Sequence, residues 1–223
     1  MNESGMHTPA SLRMHVMDFS LLIESIHTSL ERDTNAPPEL GQSDICFALN
    51  APLGYSGRDI QASALIYLDP EPYPRELPEH GYQLVYTPSP WADTFLDWTQ
   101  HTMQFLRESL FGTGLVCTDF ADFLQVLKTS RSRLLRYELI AYDHPWQVPY
   151  SKLEKIRFKT LFAILFGATD LSLTMWTELT ETIEAANPNL SVLKSGMKIY
   201  PCEPPMVMLL GETEDSQRNL CCP

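Results

Sequence analysis

The chain predicts an α/β fold made of a shortened Rossmann-type half, one long helix and a small α+β second half. Three observations carry this. Residues 159–166 (KTLFAILF) form a short apolar run closed by Gly167, rich enough to be a buried strand, and a helical stripe and two further strand-like runs follow it. Residues 90–110 hold a long stripe at helical spacing. The first third is broken by proline and glycine around short apolar runs.

In order along the chain, residues 19–30 read as a helix and residues 45–49 as a strand, with a turn at 52–58 after it. Residues 69–90 hold six of the seventeen prolines, which leaves mainly loop around one short strand at 83–86. Ser89 caps the next helix with Pro90 at its first position, and Phe95, Trp98, Met103, Leu106 and Leu110 make its apolar face. After residues 114–122, the apolar positions Phe123, Val126, Leu127, Leu134, Leu135 and Leu139 predict one or two further helices, up to the breaker at 143–149. The strand at 159–166 leads to a helix with the stripe Trp176, Leu179, Ile183 and Ala186, stopped by Asn187 and Pro188. Strands at 190–199 and 205–211 complete the order, and the acidic, polar residues 212–223 read as a disordered tail.

Chemistry concentrates at residues 114–122, GLVCTDFAD. Asp119 and Asp122 lie three apart, so if Asp119 opens a helix both carboxylates share a face of its first turn, where the helix dipole keeps them ionised. Such a pair can hold a cation or orient a water. The plainer reading is an N-cap followed by a first-turn acid.

These nine residues resemble the catalytic, or synergy, loop of the tubulin and FtsZ superfamily, which follows the long central helix and in bacterial FtsZ commonly reads GL-[IM]-N-[LV]-DFAD. The resemblance implies that Asp119 and Asp122 are the acids that promote attack of water on GTP held by a neighbouring subunit. Cys117 stands where the family has Asn, and Thr118 where it has Leu or Val, so an amide donor and acceptor is lost. The likeness extends over residues 90–211: the run at 159–166, the turn ATDLSL at 168–173, the helix and the last two strands follow the family's activation domain. It implies four parts: 1–90, a shortened, degenerate nucleotide-domain-like region; 91–150, central helix, synergy loop and following helices; 151–211, an activation-type domain; and 212–223, the tail.

The first third departs from the family. Its glycine-rich first turn and its GGGTGTG signature, whose backbone N–H groups cradle phosphate, are both missing. Residues 43–59 (SDICFALNAPLGYSGRD) are the nearest counterpart, with Gly54, Ser56 and Gly57 as the remnant of a nucleotide loop. A GxxG pair is more often a plain turn. Tight GTP binding is not expected, and no other cofactor is implied.

A formal net charge of −12 with no offsetting basic stripe argues against nucleic acid or an anionic membrane as the main partner. Lys152, Lys155, Arg157 and Lys159, and Arg131, Arg133 and Arg136, read as solvated helix faces or a local protein-binding patch. No apolar run reaches the length of a membrane span and no signal-peptide pattern is seen, so a cytoplasmic protein without an integral membrane segment is expected. Cys46, Cys117, Cys202, Cys221 and Cys222 lack zinc or redox spacing.

The function that follows is a non-hydrolysing FtsZ- or tubulin-like protein, a pseudo-GTPase of cell division or the cytoskeleton. It would bind FtsZ or tubulin-like subunits, or itself, and regulate their filament. Two alternatives stand beside it: a polymerising GTPase with an atypical nucleotide site, and an unrelated α/β protein-interaction domain.

Overall fold

The computed structural model describes residues 12–19, 43–142, 146–168 and 170–215. The helix expected over 19–30 lies almost entirely outside them. Strands β1 (Met14–Asp18), β2 (Ser43–Leu49), β3 (Ala62–Asp69) and β4 (Gly81–Val85) pair in parallel, each with the next. Parallel strands are covered on both faces, usually by crossover helices. Residues 50–61 and 70–80 are instead turns and extended loop. Tyr55, Ile60 and Leu77 from these loops pack over Cys46, Ala48, Leu65 and Tyr67, doing the work of a helix on that face. Neither β1 nor β3 was expected, although the run at 64–68 (ALIYL) carries the signal of a buried strand.

Helix α1 (Phe95–Phe111) begins six residues after Ser89, the expected cap. Ser89 and Ala92 are held in a small antiparallel bridge, and Thr94 caps the helix by accepting the N–H of Asp97 at 3.1 Å. Trp98, Met103 and Leu106 are buried as the stripe requires. The chain then forms β5 (Gly114–Val116), an unexpected edge strand, and α2 (Phe120–Thr129), which buries Phe123, Val126 and Leu127.

Leu134, Leu135 and Leu139 are not helical. They lie on β6 (Leu134–Ala141), entered through Arg133 at positive φ. Leu135, Tyr137 and Leu139 point alternately inward, and Arg136 bonds Glu138 two residues on at 2.7 Å, a contact only extended backbone allows. The expectation failed because three apolar positions fit both periods, and the pairing partners that decide between them are distant in sequence. The arginines there therefore sit on a turn and a strand rather than on a helix.

A single turn, α3 (Tyr150–Leu153), precedes β7 (Thr160–Gly167), every residue of which is buried. Phe162, Ile164 and Phe166 face the large cluster under α1 and α2. Leu161, Ala163 and Leu165 face the opposite cluster under α4 (Leu173–Ala186). Burial on both faces is why this strand reads as an unbroken apolar run. Asn187 ends α4: its side chain donates to Ile183 O at 2.6 Å and accepts from Phe158 N at 2.6 Å. Strands β8 (Val192–Ile199) and β9 (Met206–Gly211) complete, among the described residues, one nine-stranded sheet ordered β1-β2-β3-β4-β6-β9-β7-β8-β5. β6 joins the halves, parallel to β4 and antiparallel to β9.

Packed structure runs past Gly211. Glu212 is 1% exposed and its carboxylate accepts the N–H groups of Arg131 (2.8 Å) and Ser132 (3.2 Å), closing the turn before β6. Of the expected tail, residues 216–223 lie outside the described residues.

Candidate functional site

The loop from Gly112 to Asp122 is carried by alternate residues of β8, which share one face. The chain enters the loop at Gly112, whose carbonyl accepts from Lys198 Nζ at 3.2 Å. Two residues before Lys198, the missing side chain of Gly196 lets the loop close down: a Cβ there would stand 2.9 Å from both Thr118 Cγ2 and Oγ1. Two residues earlier again, Lys194 Nζ reaches Asp122 Oδ1 at 2.7 Å. Lys198 is buried, which pushes its pKa down against the opposing influence of Cys117.

Asp119 and Asp122 form a reciprocal capping box at the start of α2. Asp119 Oδ1 accepts the N–H of Asp122 at 2.8 Å, and Asp122 Oδ2 accepts the N–H of Asp119 at 3.3 Å. The plain reading of the two acids is thus realised in full, and both still lie at the surface. Asp119 is exposed, whereas Asp122 is 29% exposed and has one oxygen on Lys194 and the other on backbone. The hydrogen bond from Lys194 holds the Asp122 carboxyl below its ordinary range; burial opposes this, and the Asp119 backbone N–H adds to it. Cys117 is exposed and Thr118 buried, so only the first of the two departures from the FtsZ pattern meets solvent. Leu115 within the loop and Phe111 and Ile199 beside it are 53%, 46% and 38% exposed. The Ile199 N–H donates to the carbonyl of Thr113, which lies between Phe111 and Leu115 in the chain.

Gly54, Ser56 and Gly57 lie on the loop after β2. They are far from the acids: β3 and β8 are five strand spacings apart in the sheet, roughly 24 Å at ~4.8 Å each. Gly57 has φ +59°, and a Cβ there would stand 2.3 Å from Leu65 Cδ2 and 2.7 Å from the Tyr67 hydroxyl. It is a glycine required by close packing on β3. A phosphate cradle needs inward N–H groups and space. Here carbonyls point inward instead. Ala51 O and Pro52 O accept from the guanidinium of Arg75, which also binds Asp69 through two nitrogens at 2.6 and 2.7 Å. Gln83 Nε2 donates to the same carboxylate at 2.8 Å, and Arg75 stacks over Tyr67 and Tyr73.

Sequence reasoning missed Lys194, Arg75 and Asp69. Two lysines four apart in a strand, Lys194 and Lys198, which alternation puts on one face, are the signal that could have singled one out. Among the described residues no group of His, Cys, Asp and Glu could hold a metal ion, and no helix is long and apolar enough to cross a membrane.

A parallel half continued through one strand into a mixed half, with a long helix leading to a short acidic loop, is an FtsZ/tubulin-like fold. Solved structures that superpose on the chain are CetZ from Methanosaeta thermophila (TM-score 0.54, 15% identity, 81% of this chain and 64% of that one) and an empty FtsZ dimer from M. jannaschii (0.55, 17%, 80% and 66%). A mutant of the M. jannaschii FtsZ is also similar (0.50, 16%, 76% and 65%). At such identities the likeness is one of fold, and the chain spans just under two thirds of the length of these proteins. As a sequence it matches no protein-family model and no curated protein.

Proposed function

We propose that this chain is a non-hydrolysing FtsZ/tubulin-like protein that docks on subunits of a complete homologue and regulates their filament, in cell division or the cytoskeleton. The observation that carries the reading is a contrast between two ends of one sheet. The loop at Asp119 is surface-placed beside Phe111, Leu115 and Ile199, whereas the first carbonyls of the loop after β2, Ala51 O and Pro52 O, are taken by Arg75 of the loop after β3, itself paired with Asp69. A subunit with one working end can join a filament and cannot be followed by the next. Self-association through the same loop is the second kind of partner. The FtsZ/tubulin-like fold argues against an accidental loop resemblance in an unrelated domain. An independent GTPase would need a phosphate site other than the loop at Gly54–Gly57.

The test is co-sedimentation with GTP-assembled filaments of a complete FtsZ or CetZ from the same cell, together with steady-state GTP turnover. The chain should pellet with filaments and lower turnover per filament subunit. The Asp119→Asn, Asp122→Asn double variant should lose both effects. Saturable micromolar binding of GTP to the chain alone would overturn the reading.

A further inference from the structure

We propose that Lys194 is a latch on Asp122, which keeps the second acid of the loop silent so that the chain docks without speeding a neighbour's hydrolysis. The inference rests on the docking reading above and concerns the regulation of the same loop. An acid placed to orient a water or hold a cation needs a free oxygen and an uncompensated charge. At Asp122 the charge is answered by Lys194 Nζ, 2.7 Å from Oδ1, and each oxygen already accepts one hydrogen bond, Oδ2 that of the Asp119 N–H. The ammonium stands where a cation held by Asp122 would stand.

The placement is built into the sheet. Lys194 pairs with Phe162 of β7, whose ring packs on Phe123 of α2, so its side chain rises on the face that carries the first turn of α2. Both partners are 29% exposed, so the pair is weak enough to be opened by losing its charge, as acetylation of Lys194 would do. Lys194 is a positioning residue, acting only through Asp122.

The test measures GTP turnover by filaments of a complete FtsZ with saturating wild-type chain, Lys194→Gln, Lys194→Arg, or Asp122→Asn combined with Lys194→Gln, with co-sedimentation in parallel. Lys194→Gln should bind as wild type does and raise turnover roughly tenfold or more above the wild-type complex. Lys194→Arg should stay silent and the combined variant should lose the gain. A structural role alone would alter binding or stability and would not raise turnover. Equal pelleting with unchanged turnover in Lys194→Gln overturns the latch and leaves the docking reading intact. Failure of every form to pellet overturns docking, and the latch with it.

Discussion

Arg75 and Asp69 meet in the interior, Nη2 to Oδ1 at 2.6 Å, with side chains 2% and 0% exposed. Two charges removed from water are tolerated because every side of the pair is answered: a second nitrogen on the carboxylate, Gln83 Nε2 on Oδ2, and two backbone carbonyls on the guanidinium. Replacing Arg75 by Met leaves a buried carboxylate uncompensated and should cost about 3–5 kcal/mol in urea unfolding. Adding Asp69→Leu should recover much of that. Single and double variants that melt alike would show that the pair does not close this loop.

The capping box separates folding from charge at Asp119. Asp119→Ala removes the side-chain acceptor for the Asp122 N–H and should cost about 1 kcal/mol, read as a lowered thermal midpoint. Asn caps a helix about as well as Asp, so Asp119→Asn should fold within a few tenths of a kcal/mol of wild type. Any loss of filament binding by the Asn variant then reports on the charge.

Stability should also carry a small acid-side signature from Asp122. Its folded carboxyl is held below its ordinary range, chiefly by the bond from Lys194, with burial opposing and the Asp119 N–H adding to the lowering. The folded state therefore binds its proton less readily than the unfolded chain. The resulting stabilisation is complete above the ordinary carboxylate range and is lost as pH falls below it, through the depressed folded value. A partly exposed pair contributes about 0.2–1 kcal/mol. Urea midpoints of wild type and Lys194→Met should thus differ at pH 6 and converge towards pH 2. A gap that persists at pH 2 would place the contribution of Lys194 elsewhere.

Gly54 and Gly57 should respond unequally to alanine. Gly54 has nothing within 4 Å of an added Cβ, so Gly54→Ala should be neutral to about 0.5 kcal/mol. Gly57→Ala combines a positive φ with a collision on Leu65 and Tyr67, and should cost about 2–4 kcal/mol by urea unfolding. Isothermal titration with GTP should show no saturable heat in the micromolar range for wild type. Nucleotide binding that Gly54→Ala abolishes would restore the phosphate-loop reading.

Legibility followed burial. The strand β7 was plain because both its faces are covered, and α4 because its stripe runs unbroken from Ser172 to the stop at Asn187 and Pro188. β5 is too short to carry a period, and β3 was passed over among the prolines and turns around it. Thr94 lost to Ser89 as the cap of α1 because Pro90 satisfies the local rule for a first helical residue, and only the bridge from Ser89 to Ala92 shows the chain still turning there.

By itself the sequence determined the α/β class, the long helix before an acidic loop, and the pairing of Asp119 with Asp122, since all three depend on neighbours within a few residues. Only the tertiary structure decided that Leu134–Ala141 is the strand joining the two halves, because a strand is chosen by its partners and β4 and β9 lie far away along the chain. It also decided which charges meet. Lys194 finds Asp122, and Arg75 binds the loop after β2, because sheet register and loop packing bring them within hydrogen-bond reach. No local pattern of residue types encodes such a distance.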